Sequence, residues 1–389
     1  MGEKESAVSH KYKFIGMILF TCLVIEALSF ATGMWLAKKG VFYKPERSRD
    51  YQKFVQAYQK YLSLRDENLG WPSPSTFGHG DYDKIGSRII PSFPDETNSC
   101  VSLYGDSFTF GAEVSHEEAW GNVLSQNLGC RVSNFGVGGY GTDQAYLRFQ
   151  LNTADSSPTV ILGYMVENIA RNVNQYRFLF YPLGGEYMYG LKPRFILGEQ
   201  GKLRLIKLPK FSEREFLEMT EDPGKYLPYE YFVPGGKFVS RGPKFPYTLS
   251  LLSLANHSRL RAKLSGKPRY AEFYDPRHSS GAFQVTVGIL EAFQEEAKKR
   301  GKKPLVLIIP YSAELRYYRK KGVWLYQGLV EELRRRGVEF LDAGPPIMEY
   351  LGPRDECELF FNACRGHLNK EGNQVLARVV HSYLTSPKD

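Results

Sequence analysis

Hydrophobic positions along this chain change their period as the sequence proceeds. From Phe14 to Leu36 they run almost unbroken as FIGMILFTCLVIEALSFATGMWL, long enough at about 1.5 Å rise per residue to cross a hydrocarbon core as one transmembrane helix. Residues 1–13 form a tail before it. Residues 37–97 read as a stalk and lead-in, with an amphipathic stretch from Tyr51 to Leu64 and then Gly- and Pro-punctuated coil through WPSPSTFGHG. From Cys100 onward, short apolar runs alternate with helical spacing. CVSLYGD, RVSNFGV, TVILGYM, PLVLIIPY and VEFLDA predict five buried strands. The spacing predicts helices between them: His116 to Leu128, opened by the capping box Ser115-x-x-Glu118 and ended by Gly129; a helix capped by Thr142 that carries Ala145, Tyr146, Phe149 and Leu151; Phe283 to Arg300; and Leu325 to Arg336. A last helix packs through Val375, Leu376, Val379, Val380 and Tyr383. Strands alternating with helices predict an α/β fold built on a parallel, doubly wound sheet.

Between the third and fourth strands lies an insertion of about a hundred residues, Arg171 to Ser280, too long for an ordinary connection. It is expected to form a lid or substrate-binding wall, and within it RFILGEQGKLRLIKLP predicts a hairpin. A chain of 389 residues, 42% hydrophobic and 24% charged, can bury a full core, which suits one catalytic domain over 98–386 with insertions. The formal charge of +9 does not point to nucleic acid. The basic groups Lys298-Lys299-Arg300 and Arg334-Arg335-Arg336 stand near the ends of predicted helices, where cations complement the dipole. Aromatic residues make up 14% of the chain, and many fall between Tyr164 and Tyr274. Sugar or lipid contact and ordinary core packing are both open for them.

Ser29-Phe30-Ala31 is a small-x-small pattern of the kind that ends a signal peptide, but the apolar stretch exceeds a signal core and favours an uncleaved anchor. Glu26 falls mid-span, where an ionised carboxylate is costly. It is expected to be protonated, displaced toward an interface, or paired with another chain, a membrane partner protein included. Lys38, Lys39, Lys44, Arg47 and Arg49 follow the span and outnumber Lys4, Lys11 and Lys13 before it, which by itself leaves the bulk of the chain cytoplasmic. The cysteines argue the other way. Apart from Cys22 in the span they form two local groups, Cys100 with Cys130 and Cys357 with Cys364. Neighbouring parallel strands bring the first pair near disulfide distance, which suits an extracytoplasmic, oxidising compartment; four free buried thiols are the alternative.

In an open parallel sheet, ligands bind outside the carboxyl ends of the strands where the strand order reverses. The first strand ends in Gly105-Asp106-Ser107-Phe108, the second in Asn134-Phe135-Gly136-Val137-Gly138-Gly139 and the third in Glu167-Asn168. Gly366-His367-Leu368-Asn369 precedes the final helix, which returns to the same edge. A serine hydroxyl is a poor nucleophile until a base takes its proton, and His367 is placed to serve Ser107 as that base. A tetrahedral intermediate needs donors aimed at its oxyanion, and Gly139 and Asn168 fit that need.

Ser107, Gly139, Asn168 and His367, in this order and at these strand ends, resemble the SGNH (GDSL-like) hydrolase family. The resemblance covers approximately residues 98–169 and 283–384. It implies a flavodoxin-like three-layer α/β/α fold, no metal or other cofactor, and ester hydrolysis or acyl transfer with Ser107 and His367 as catalytic residues. It also implies an oxyanion hole made of the main-chain amides of Ser107 and Gly139 with the side chain of Asn168. Such domains on one membrane span are similar to those that edit or build acylated bacterial polysaccharides, making O-acetyl groups on carbohydrate the leading substrate class.

The departures from the family are specific. Cys364 stands three residues before the histidine, where the family carries Asp, so the acid that orients the imidazole is missing. Asp355, Glu356, Glu358 and Asn362 are the near candidates to replace it. The third block reads Val166-Glu167-Asn168-Ile169 and keeps the Asn alone. The missing acid and Glu26 together motivate an alternative function, a non-catalytic scaffold that holds a polymer or a membrane partner. Asp106 reads as a structural turn residue, and Gly136-x-Gly138-x-x-Gly141 also fits a dinucleotide fingerprint, though on the second strand rather than the first. His79, His116, His257, His278 and His381 have no partner spacing for a metal, and Cys357 with Cys364 lacks a second ligand pair. Asn256-His257-Ser258 matches a glycosylation sequon.

Overall fold

A computed structural model describes residues 2–45, 51–74, 80–181, 189–255 and 257–387. The chain divides into two compact units. One gathers the N-terminal residues with Phe216–Pro228 and Phe232–Arg269; the other holds the remainder. The insertion is therefore shared between the units.

The larger unit is built on a five-stranded parallel sheet, β1 (Ser99–Tyr104), β2 (Arg131–Asn134), β3 (Thr159–Met165), β6 (Lys303–Ile309) and β7 (Phe340–Asp342), in the spatial order β2-β1-β3-β6-β7. All four pairings are parallel, with Leu103 opposite both Asn134 and Ile161, and Ile161 opposite Leu305. The central strands β3 and β6 are continuous apolar runs because both faces are covered, and Leu103, Val132, Ile161, Leu162 and Leu307 have no exposed surface. The order reverses between β1 and β3, so the crevice for a ligand opens at their carboxyl ends. The expected α/β fold with a parallel sheet and layered helices is the observed one. A separate antiparallel hairpin, β4 (Arg194–Leu197) with β5 (Leu203–Ile206), lies where the alternation predicts it.

The helices of this unit are α2 (Tyr51–Leu64), α3 (Ser107–Phe110), α4 (Trp120–Leu128), α5 (Thr142–Leu151), α6 (Asn168–Arg171), α7 (Arg177–Phe180), α12 (Ala282–Lys299), α13 (Ser312–Lys321), α14 (Gln327–Arg335), α15 (Gly344–Leu351) and α16 (Lys370–Thr385). Two sequence expectations fail at helix starts. The helix expected from His116 begins at Trp120, and its cap is tertiary: Asn373 Oδ1 accepts the Trp120 N–H at 3.0 Å, while residues 115–119 form a turn closed by Ala119 N–H to Ser115 O at 3.1 Å. Thr142 is the first helical residue rather than a cap; the preceding Gly141 is capped by the Gln144 side chain at 3.2 Å. Helices α13 and α15 carry no sequence expectation: α13 is dominated by polar residues, and α15 opens on Gly344-Pro345-Pro346, which reads as a turn.

Both cysteine pairs are disulfides, Cys100–Cys130 at the amino ends of β1 and β2 and Cys357–Cys364 at the opposite end of the sheet from them; Cys22 is free.

The smaller unit contains α1 (Gly2–Lys38), α9 (Pro223–Tyr226), α10 (Tyr247–Leu254) and α11 (Ser258–Ser265); α8 (Glu213–Glu221) crosses the boundary. Within α1, Tyr12–Lys38 is long and apolar enough to cross a membrane, and Phe14, Met17, Phe20, Leu23 and Leu28 are exposed on it.

Candidate active site

Ser107 is the first residue of α3, directly after β1. Asp106 caps the helix, its carboxylate accepting the Phe108 N–H at 2.9 Å, and Gly111 ends it at φ 77°. The turn is tight because nothing bulky stands beneath it: a Cβ on Gly105 or on Gly163 of the neighbouring strand would meet the Thr109 hydroxyl at 1.9 or 2.0 Å. These two glycines let α3 sit directly on the sheet and fix where the Ser107 hydroxyl points.

Phe361–Gly366 form a knot before α16 that delivers His367. Phe361 N–H donates to His367 O at 2.9 Å and Gly366 N–H to Phe361 O at 3.0 Å. Between them Asn362, Ala363 and Cys364 all take left-handed conformations, with φ of 52°, 49° and 74°. The loop is held from outside by the disulfide to Cys357 and by the Tyr311 and Ser312 hydroxyls, each donating to Cys364 O at 2.9 Å. His367 is thereby brought to the switch-point crevice, where its Nε2 lies 2.8 Å from Ser107 Oγ. The Phe108 ring packs 5.1 Å from the imidazole.

A carboxylate faces His367 from a position the sequence does not flag. Glu113, three residues beyond the end of α3, accepts the His367 main-chain N–H on Oε2 at 2.9 Å, and the same oxygen lies 3.5 Å from His367 Nδ1. Nδ1 has no aligned hydrogen bond in this state, and Glu113 is the one carboxylate at ion-pair distance from the ring among the described residues. Catalytic hydrogen bonds are often long before substrate binds. Glu113 sits at φ 70°, unusual for a residue with a side chain, and that turn aims its carboxylate back at the histidine. No periodicity or spacing signals it. The candidates near the histidine are all committed elsewhere: Asp355 accepts the Cys357 N–H at 2.8 Å, Glu356 pairs with Arg316 and Arg319, Glu358 pairs with Arg354, and Asn362 is exposed.

Among the described residues neither the Ser107 nor the Gly139 main-chain N–H is taken by an acceptor, and both residues line the same cleft of about 430 Å³ as His367. Gly139 adopts φ 84° there. Asn168 is fully buried and is not among the residues that line the cleft; its amide donates to Asp106 Oδ2 at 3.1 Å, which leaves one amide hydrogen uncommitted. Asp106 itself has no exposed surface and also faces Arg171 Nη1 at 3.5 Å; burial pushes its pKa up, and the arginine and its hydrogen bonds oppose that rise. It is the structural turn residue the sequence suggests. Gly136, first of the glycine fingerprint, is explained by packing, since a Cβ there would meet Phe110 N at 2.5 Å.

Asp355, Cys357 and Cys364 are the one cluster of three possible metal ligands among the described residues, and the disulfide occupies two of them. His116 instead accepts from Arg88 at 3.3 Å, and His278 contacts Ser280 at 2.8 Å. His79 and Asn256 of the sequon lie outside the described residues.

No protein-family pattern and no curated protein matches the chain. Solved structures similar to it include a protein assigned to the lipolytic G-D-S-L family from Desulfitobacterium hafniense, at 14% identity over 72% of this chain and 97% of that one with a TM-score of 0.35. An acetylxylan esterase from Geobacillus stearothermophilus is similar at 12% identity, 75% and 98% coverage and a TM-score of 0.37. An alpha/beta hydrolase enzyme from the metagenome of Lake Arreo, Spain, is similar at 15% identity, 74% and 97% coverage and a TM-score of 0.37. The chemistry of the site rests on its own geometry.

Proposed function

We propose that this chain is a serine esterase or O-acyltransferase of the SGNH kind, acting on acyl esters, acetyl esters of carbohydrate foremost. The observation that carries the reading is the 2.8 Å contact between His367 Nε2 and Ser107 Oγ in a cleft that also presents two uncommitted main-chain N–H groups. In the first half-reaction Ser107 Oγ attacks the ester carbonyl and His367 Nε2 takes the hydroxyl proton. The oxyanion that forms is held by the N–H groups of Ser107 and Gly139, with the second amide hydrogen of Asn168 as third donor. Collapse breaks the ester C–O bond, and the imidazolium returns its proton to the leaving alkoxide. Water, or a sugar hydroxyl, then attacks the acyl-serine by the same steps in reverse, giving hydrolysis or transfer. Glu113 holds the ring and stabilises the imidazolium, the role an aspartate plays in other triads.

Phe108 and Tyr311 give the cleft flat apolar walls, and Arg177 and Arg365 add donors for hydroxyl or carboxylate groups, a lining suited to an acylated sugar. The scaffold alternative rests on the absent acid and on Glu26; the Glu113 carboxylate 3.5 Å from His367 Nδ1 favours the catalytic reading over it. We place the larger unit outside the cytoplasm on a single α1 span, because two disulfides persist only in an oxidising compartment.

Aryl acetates, acetylated oligosaccharides and a fluorophosphonate label test the proposal on the purified full chain in detergent. The expected result is turnover and labelling that both vanish in Ser107→Ala. Equal activity in that variant would overturn the mechanism.

A further inference from the structure

The smaller unit contains an apolar surface that neither the catalytic reading nor the single-span anchor uses. From Ser240 the chain runs back along α1, turns at Phe245-Pro246-Tyr247, and returns as α10. Contacts follow α1 in order. Ser240 O accepts the Tyr43 N–H at 2.8 Å, just past the end of the helix. A Cβ on Gly33 would meet Pro243 at 3.0 Å, and Leu251 lies 4.0 Å from the same point, so both arms of the hairpin pass this level of α1. Deeper still, the Phe30 and Tyr247 rings are 4.9 Å apart and Ser29 Oγ lies 3.0 Å from Thr248 Oγ1. At the tip Glu26 accepts the main-chain N–H groups of Tyr247 at 2.6 Å and Thr248 at 3.2 Å. The partner for the mid-span carboxylate is thus the first turn of a helix in the same chain, where donor groups and the helix dipole both favour an anion.

Glu26 lies twelve residues before Lys38, about 18 Å along a helix axis, which is more than half of a hydrocarbon core of about 30 Å. If α1 spans a bilayer, whatever touches Glu26 lies at the same depth. The hairpin is composed for that position. Phe245, Leu249 and Leu252 are 74%, 62% and 63% exposed, while hydrogen bonds inside the turn close part of its polar groups: Ser250 Oγ accepts the Lys244 N–H at 3.1 Å and donates to Lys244 O at 2.7 Å, and Ser253 Oγ donates to Ser250 O at 2.7 Å. Backbone that leaves helix form inside lipid must close its hydrogen bonds in this way. Lys237 and Arg241 sit toward the other end, where phosphate headgroups lie, and with Lys244 of the turn they line a hollow of about 470 Å³ whose wall holds no carboxylate among the described residues.

We infer that residues 240–254 are a re-entrant membrane element docked on α1, with the exposed face of α10 covered by lipid acyl chains. The inference rests on the reading of α1 as an uncleaved membrane span. It gives the protein a second membrane contact from deep within the insertion, and it gives Glu26, Ser29 and Gly33 reasons to be retained that a disposable leader would not supply.

The test uses the full chain with Cys22→Ser, reconstituted in nanodiscs of phosphatidylcholine and phosphatidylglycerol, with single cysteines carrying an environment-sensitive fluorophore. Phe245→Cys, Leu249→Cys and Leu252→Cys probe the hairpin, Leu23→Cys probes α1, and Val323→Cys on the larger unit reports water. The expected result is that the three hairpin sites behave as Leu23 does, with loss of labelling by a membrane-impermeant maleimide, blue-shifted emission and quenching by nitroxide-bearing lipids. Hairpin sites that label like Val323 while Leu23 stays protected would overturn the re-entrant element alone. Labelling at Leu23 as well would remove the span reading and this inference with it. Sites protected from maleimide but unquenched by lipid nitroxides would overturn it in favour of cover by a second copy of the chain.

Discussion

Glu113 and His367 are joined twice through one oxygen: Oε2 accepts the histidine's main-chain N–H at 2.9 Å and stands 3.5 Å from its Nδ1. One carboxylate thus anchors the backbone that carries the proposed base and faces the ring nitrogen that, in that mechanism, must hold a proton during turnover. Replacing it separates the two functions. Glu113→Gln keeps an acceptor for the main chain and removes the charge, so kcat should fall by on the order of 10²–10⁴-fold with KM little changed. Glu113→Asp should recover part of the rate, since aspartate tolerates the left-handed backbone that position 113 adopts. Unchanged kcat in Glu113→Gln would end the triad assignment.

Gly139 offers a second test, directed at the oxyanion rather than at the base. Its φ of 84° is strained for any residue with a Cβ, although space is open, the nearest atom to a Cβ being Pro72 Cδ at 3.7 Å. Gly139→Ala should therefore cost only about 1–2 kcal/mol of stability. Relief of the strain would turn the N–H away from the cleft, and loss of one oxyanion donor should lower kcat by on the order of 10²–10³-fold. Steady-state kinetics beside a thermal melt reads both effects, and a stability loss with normal kcat would take Gly139 out of the oxyanion hole.

The legible parts of the chain are those where one local rule dominates. The central strands are readable because strands buried on both faces are unbroken apolar runs such as TVILGYM, and Ser107 and His367 because chemistry-bearing residues stand at strand ends and before the last helix. Tertiary contacts defeated the rest. The start of α4 moved to Trp120 because its cap comes from Asn373, 253 residues away. Glu113 was silent because its role depends on a left-handed turn that its residue type does not announce. The partner of Glu26 was hidden for another reason: YTLSLLSL is apolar around most of its circumference, so α10 shows little helical periodicity to expose which side meets α1.

Glu314 makes stability depend on pH. It has no exposed surface, accepts the Tyr270 hydroxyl and the Tyr311 N–H, and burial pushes its pKa up to about 7 from an ordinary 4.5. A folded-state pKa above the unfolded one means that the folded protein binds the proton more tightly. The stabilisation is fully present below pH 4.5 and is lost as pH rises through about 7, a difference of roughly 3 kcal/mol for this group. Glu314→Gln, which mimics the protonated form, should lose less stability than the wild type between pH 5 and pH 8. Urea midpoints of the two proteins across that range measure the effect, and parallel curves would refute it.

The two disulfides should differ in what their loss does. Cys100–Cys130 ties the amino ends of β1 and β2, at the opposite end of the sheet from Ser107. Removing it as Cys100→Ser with Cys130→Ser frees a longer loop in the unfolded chain, costing about 3–4 kcal/mol by loop entropy while leaving kcat near normal. Cys357–Cys364 closes a shorter loop, worth about 2–3 kcal/mol on the same account. That second bond, however, holds one end of the three-residue left-handed run that delivers His367. Each such residue with a side chain costs on the order of 1–2 kcal/mol, so without the tether the run should relax and carry the imidazole away from Ser107. Cys357→Ser with Cys364→Ser should therefore lose kcat out of proportion to its change in melting temperature. Adding Ala363→Gly in that background should restore part of the rate, because glycine adopts φ 49° without the Cβ penalty. Equal kcat losses in the two double variants, or no rescue by glycine, would show that the histidine loop keeps its shape without the bond.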